Sequence, residues 1–150
     1  MVDPLVVNRK LQKLTGYLEE LEMMDEITFE DYLSNFRHRR TVERLIQLIV
    51  DIAVDINTHA VVDAGSPPPA DAYSSFLEVA KIGLLPQAFA KKLAPSTGER
   101  NIIVHDYESV DDKIVYESIS EALDLYHQYV KYASMYIQKT PSPGPIISGQ

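Results

Sequence analysis

The stretch Glu99-Arg100-Asn101-Ile102-Ile103-Val104-His105-Asp106-Tyr107 gathers more chemically versatile side chains than any other part of the chain. Arginine offers a planar, permanently charged fork that matches a phosphate, and a neutral imidazole near its ordinary pKa can take or give a proton. RNA suits such a pair because its own 2′-hydroxyl attacks the adjacent phosphate once deprotonated, so a base and an electrophile suffice in principle. The apolar triplet Ile102-Ile103-Val104 is expected to anchor this segment in the core, so that the polar groups project from a rigid base. On an ideal helix Arg100 and His105 diverge by roughly 140°, so they share a site only where the helix ends near His105 or a second subunit contributes. The plainer reading of the same residues is a C-terminal helix cap at His105 and a surface ion pair between Arg100 and Glu99.

Other constellations are weaker. Arg37, Arg39, Arg40 and Arg44, with His38, form the one concentrated basic patch, suited to RNA phosphates or to an acidic partner. Asp51 and Asp55 stand one helical turn apart, but two carboxylates without a third ligand do not define a cation site, and no metal is assigned. His59 and His127 are isolated and read as structural or surface residues. Tyr126, Tyr129, Tyr132 and Tyr136 recur at helical spacing and read as packing residues. A glycine-rich phosphate loop, a paired metal motif and a serine nucleophile elbow are missing, so those enzyme classes lose support.

The elements that must position these residues are helical. Asp3-Pro4 reads as a cap followed by proline in the first turn, and Leu11, Leu14, Leu18 and Leu21 stack on one face of a helix ending near Asp25. Thr28 to Asn35 is turn-like with a short helical piece, and Asn35 can cap a long helix from about Arg37 to Val62. Apolar residues cover most of that helix, and its main polar stripe runs Arg44, Gln47, Asp51, Asp55. It must be buried on several sides, and a second subunit is the economical covering for what its own core leaves open. Gly65 to Pro69 is a loop. Asp71 is expected to cap a short helix reaching Ile82 with Gly83 ending it, Pro86 to open another toward Leu93, and Pro95-Ser96 to interrupt before a continuation to about His105. Ser109 is the expected cap of a closing helix carrying Val115, Ile119, Ala122, Tyr126, Tyr129, Ala133 and Ile137. With no alternating pattern that would make a sheet, the sum is an all-α fold, an antiparallel bundle of four to five helices. Residues 1–139 form one domain, and 140–150 a proline- and glycine-rich tail dispensable for folding.

Bulk properties narrow the setting. The 150 residues, 45% of them hydrophobic, support one core. A net charge of −8 repels polyanions at long range, so any nucleic-acid contact must use a local basic site. The absence of cysteine removes disulfides and thiol chemistry and fits a reducing compartment. No stretch reads as a signal peptide or as a run of ~20 apolar residues, so a cytoplasmic protein is expected, with no membrane partner.

Taken with its context, Arg100-Asn101-Ile-Ile-Val-His105-Asp106-Tyr107 resembles the Arg-x-x-x-x-His-x-Tyr signature of HepT-like toxins of the HEPN superfamily. Thr41 to Gln47 with Asp55 to His59 resembles that family's long second helix, and Gly83-Leu84-Leu85-Pro86 with Leu93-Ala94-Pro95 resembles its approach to the motif. The likeness spans roughly residues 1 to 139. It implies a HEPN-like helical homodimer, alone or in a larger assembly with an antitoxin, in which two Arg-His motifs meet across a cleft and cleave RNA without metal or cofactor. It further implies a minimal nucleotidyltransferase antitoxin, as in a type VII-like system, that transfers AMP from ATP onto Tyr107. Placing phosphate beside a phosphate-binding arginine would fill and neutralise the site. On the same basis Arg100 stabilises the scissile phosphate, His105 serves as general base or acid, and Asn101 and Asp106 are supporting polar residues. Glu99 departs from the pattern and places a negative charge beside Arg100, which is expected to weaken RNA affinity. The competing reading is a non-catalytic helical module that binds a nucleotidyltransferase or a nucleotide, a role that the acidic net charge suits.

Overall fold

The structure, a computed structural model, describes residues 3–105 and 110–139. Among them seven helices follow one another: α1 (Pro4–Asp25), α2 (Phe29–Ser34), α3 (Phe36–Asp63), α4 (Ala72–Lys81), α5 (Gln87–Leu93), α6 (Ser96–His105) and α7 (Asp112–Lys139). The fold is all-α. Counting α5 and α6 as one helix broken at Ala94-Pro95, and α2 as a turn within a connection, gives the expected bundle of five elements.

Local chemistry sets most boundaries. The Asp3 carboxylate accepts from Leu5 N–H at 3.0 Å, Thr28 Oγ1 from Asp31 N–H at 3.2 Å, Asn35 Oδ1 from Arg37 N–H at 2.9 Å and Asp71 Oδ1 from Ser74 N–H at 2.7 Å. The last of these holds the Asp71 carboxyl below its ordinary pKa. Gly83 ends α4 with φ at +87°, where a side chain would be strained. Around it Gly83 N–H donates to Ala80 O at 3.2 Å and Leu84 N–H to Val79 O at 2.9 Å, which satisfies two of the last carbonyls of α4. Ser109 lies outside the described residues. The side chain that caps α7 is that of Asp111, whose Oδ1 accepts from Lys113 and Ile114 N–H at 3.0 and 3.3 Å.

Helix α1 buries the expected face, Leu11, Leu14, Leu18 and Leu21, together with Val7, against both α3 and α7. Lys10 of α1 pairs with Asp55 late in α3, and Glu22 late in α1 meets His127 of α7 at 2.7 Å. The Lys10–Asp55 pair sets early α1 against late α3, so α1 is antiparallel to α3. Arg39 and Asp112, each near the start of its helix, lie 3.9 Å apart, so α3 and α7 run the same way. Tyr116, whose hydroxyl donates to Ile27 O, and its ring contacts with Phe29 and Tyr32 hold α2 on the first turns of α7.

Helix α3 is apolar enough over eighteen residues to cross a membrane by length and composition, which the sequence reading did not expect. Half of that window is buried inside the bundle, and its deepest polar residue is hydrogen-bonded there, the pattern of a core helix. That residue, Asn57, is fully buried; its Nδ2 donates to Ser75 Oγ at 3.1 Å, and its Oδ1 accepts from the Tyr129 hydroxyl at 2.6 Å, which also lies 3.1 Å from Ala53 O. Burial raises the Tyr129 pKa well above its usual value, so the phenol stays a donor. Tyr129→Phe strands a buried acceptor, which costs about 1–3 kcal/mol. For a chain of this size the melting temperature should fall by roughly 2–4 °C per kcal/mol, readable by calorimetry.

Candidate active site

Helix α6 carries the Arg-His motif and leans on α3. Its start is fixed at three points: Ser96 Oγ lies 2.6 Å from the buried Tyr126 hydroxyl and donates to Leu93 O at 2.7 Å, and Thr97, also buried, donates to Ala94 O at 2.8 Å. Further along, the apolar triplet does not enter the core as a unit. Ile103 is buried, Val104 half-buried, and Ile102 remains 45% exposed. Successive helical residues rotate by about 100°, so three in a row cannot face one core, and Ile103 alone is the anchor.

Arg100 reaches α3, where its Nε lies 3.1 Å from Asp51 Oδ1. The N–H is not aimed at that oxygen, so the contact is an ion pair without a well-formed hydrogen bond. Nε is sealed from solvent and the side chain is 18% exposed, so a ligand must be met by the terminal nitrogens of the guanidinium. The expected surface pair with Glu99 does not form. Glu99 points instead toward α7, into a small depression with Ser118, Glu121 and Tyr126. One consequence is that its charge is turned away from Arg100, so the anticipated penalty on RNA affinity loses its basis.

Burial, and to a lesser degree the charge of Glu121, raise the Glu99 pKa above its ordinary 4.5. Ser118 lowers it, but less than burial raises it. A carboxyl with a raised folded pKa favours the folded state when protonated; that stability is present below the unfolded pKa and is lost as pH rises through the folded one. Glu99→Gln should therefore raise the melting temperature by a few degrees at pH 7 and leave it unchanged at pH 4, which thermal melts at the two pH values will check.

His105 is exposed at the last described residue of α6, and Asn101 is exposed one residue past Arg100. Because α6 is helical throughout Arg100 to His105, the two side chains leave it roughly 140° apart and about 7.5 Å along the axis. One copy of α6 does not aim both at one point. Asp106 and Tyr107 lie outside the described residues.

The basic patch splits in two. Arg39 donates to Leu33 O and sits 3.9 Å from Asp112, while Arg40 donates to both carboxylate oxygens of Glu43 at 3.0 and 2.9 Å. Arg37 is exposed, its guanidinium 5.9 Å from the centre of its neighbour Phe36, and Arg44 donates to the neutral Gln47, at 3.1 Å. Arg40 and Arg44, with Glu43 and Gln47, share a shallow groove of about 260 Å³ with Ile103 and Val104, so the patch lies beside the His105 end of α6. Asp51 and Asp55 are each met by a cation, Arg100 and Lys10. His59 pairs with Asp63 at 3.2 Å and His127 with Glu22. Tyr126 and Tyr129 are core residues, and Tyr132 packs on Phe89 with ring centres 5.1 Å apart. Sequence reasoning missed the role of Asp51 as the anion facing Arg100; its place in the polar stripe of α3 was the available signal.

Over residues 14–133 the chain matches the family described as Ribonuclease HepT-like. It is 35% identical over 136 residues to the tRNA nuclease HepT of Aphanizomenon flos-aquae, covering 91% of this chain and 92% of that protein. Its fold superimposes with a TM-score of 0.79 on a tri-AMPylated HEPN toxin of Shewanella oneidensis solved in complex with an MNT antitoxin, at 21% identity over 90% of this chain and 99% of that one. The cytosolic protein YutE of Bacillus subtilis has the same fold, with a TM-score of 0.75 and 17% identity over 93% and 95% of the two chains. With the family match over residues 14–133, the 35% identical relative and the shared all-helical fold in agreement, this chain belongs to the Ribonuclease HepT-like family.

Proposed function

We propose that the protein is a cytoplasmic, metal-independent endoribonuclease toxin whose active site is a cleft between two protomers. The observation that carries this reading is the divergence of Arg100 and His105 on a continuous helix: two copies of α6 facing one another would bring the arginine of one toward the histidine of the other. In that cleft a neutral His105 accepts the proton of a ribose 2′-hydroxyl, the oxygen attacks the adjacent phosphorus, and the bond from phosphorus to the 5′-oxygen breaks. The imidazolium so formed on His105 returns its proton to the leaving oxygen, and the products are a 2′,3′-cyclic phosphate and a 5′-hydroxyl. Arg100 meets the charge that builds on the phosphate oxygens. Asn101 and Asp106 support the pair, and Arg37, Arg39, Arg40 and Arg44 hold flanking phosphates, the exposed Arg37 and Arg44 being the freest to do so.

Control of this activity is proposed to come from a minimal nucleotidyltransferase antitoxin that transfers AMP from ATP to the Tyr107 hydroxyl with release of pyrophosphate. The family membership and the AMP-carrying, antitoxin-bound state of the Shewanella oneidensis neighbour support this reading. Purified protein incubated with total RNA in EDTA should cleave it, and prior treatment with such an antitoxin and ATP should stop cleavage while adding AMP mass to Tyr107. Intact RNA in EDTA, with cleavage appearing on addition of a divalent cation, would refute the metal-independent mechanism.

A further inference from the structure

The largest cation-rimmed hollow among the described residues lies away from the Arg-His motif. Between α1 and α3 runs a groove of about 500 Å³, within the range of ligand sites, whose rim includes Arg9, Lys10 and Lys13. Leu48 and Ile52, both half-buried, form its apolar floor, and Tyr17 closes one end. Asp51 and Asp55 also line it, but both are already met: Asp55 by Lys10, and Asp51 by Arg100. Arg9 and Lys13 are exposed and have no ion pair among the described residues. They stand one turn apart on α1, with Cβ atoms about 6 Å from one another.

We propose that this groove is a binding subsite for a single-stranded RNA segment, holding a phosphate on Arg9 and Lys13 and stacking a base on Tyr17. The proposal rests on the ribonuclease reading and extends the substrate contact beyond the scissile phosphate. Three observations carry it. Two cations without partners stand over an aromatic and apolar floor, the combination that takes nucleotides without sequence preference. In a chain of net charge −8 such local positive charge is what a polyanion needs in order to bind at all. The groove also adjoins the candidate active site, because Asp51, which lines it, is the residue that faces Arg100. A strand leaving the Arg100 phosphate across α3 would enter it directly.

The experiment uses the full chain carrying His105→Ala, so that RNA is bound without turnover, with a short fluorescently labelled single-stranded RNA as probe and anisotropy as readout over a range of salt concentrations. Adding Arg9→Glu with Lys13→Glu should weaken binding by ~10-fold or more at low salt and reduce the slope of log affinity on log salt by ~0.7, the amount for one lost phosphate. Tyr17→Leu should weaken binding by ~5-fold or more with the slope unchanged. Lys81→Glu with Lys131→Glu, which alters net charge equally elsewhere, should have the smaller effect. In the cleaving protein the groove substitutions should raise KM and leave kcat in place. An unchanged slope, or an equal loss in the Lys81 and Lys131 control, overturns the proposal; so does a fall in particle mass of the double variant in light scattering, which would make the groove a contact between copies of the chain. Arg9→Gln with Lys13→Gln retains part of each side-chain stem and gives the same reading should charge reversal unfold the bundle. Cleavage that persists with binding unaltered removes the groove alone, whereas a parent protein that binds RNA through it and never cleaves removes the ribonuclease reading instead.

Discussion

His105→Ala is expected to lower the rate of RNA cleavage by ~10²–10⁴-fold, the usual contribution of a positioned general base or acid. The loss should appear equally in kcat and kcat/KM, because the proton is moved only in the transition state. Melting behaviour should hardly change: the side chain is exposed at the end of α6 and no core contact is removed. This combination separates the enzyme from a non-catalytic helical module. For the latter, RNA would survive incubation with the wild-type and variant proteins alike, and toxicity would follow binding rather than chemistry.

Arg100→Ala should cost ~10²–10³-fold in kcat, the range found when one preorganised donor to a developing oxyanion is deleted. Arg100→Lys keeps the charge but not the fork, and should recover only a part of the loss. The ion pair with Asp51 explains why: it fixes the guanidinium through a buried Nε and directs the remaining nitrogens outward, a geometry that an ammonium on a flexible stem does not reproduce. Removing Arg100 also leaves Asp51, 45% exposed, as an uncompensated carboxylate facing the RNA. KM should therefore rise with Arg100→Ala beyond the loss of a single phosphate contact, and Arg100→Ala with Asp51→Asn should bring part of that rise back. Steady-state kinetics on the four proteins, wild type included, tests this coupling; additive effects of the two substitutions would remove it.

The elements were legible in the sequence wherever the governing chemistry is local. Asp3, Asn35 and Asp71 each sit within three residues of the N–H that they cap, and Gly83 stands where α4 needs a left-handed residue, so spacing alone located those ends. The leucine face of α1 was legible for the same reason, since three- and four-residue recurrence is all that a buried stripe requires. What was hidden depends on register between helices. Asp51 and Arg100 are 49 positions apart, and nothing in either neighbourhood says that α6 crosses α3 at that turn. The same holds for Lys10 and Asp55, whose pairing fills what looked like a pair of free carboxylates. Glu99 was misjudged because adjacency in sequence suggests adjacency in space, whereas one helical step rotated it onto α7. The triplet at Ile102 failed by the same rotation.

The central claim is that each active site draws its arginine and its histidine from different protomers, and mixing two inactive variants tests it most directly. Arg100→Ala and His105→Ala proteins, each inactive alone, are co-expressed with different affinity tags and the mixed dimer is compared with random mixtures. If the site is composite, the mixed dimer has one intact site out of two, and a randomly assorted population should regain roughly a quarter of wild-type cleavage, half of the dimers being mixed. If Arg100 and His105 act within a single protomer, every mixed dimer lacks a complete pair, and cleavage no higher than that of either parent variant would contradict the account.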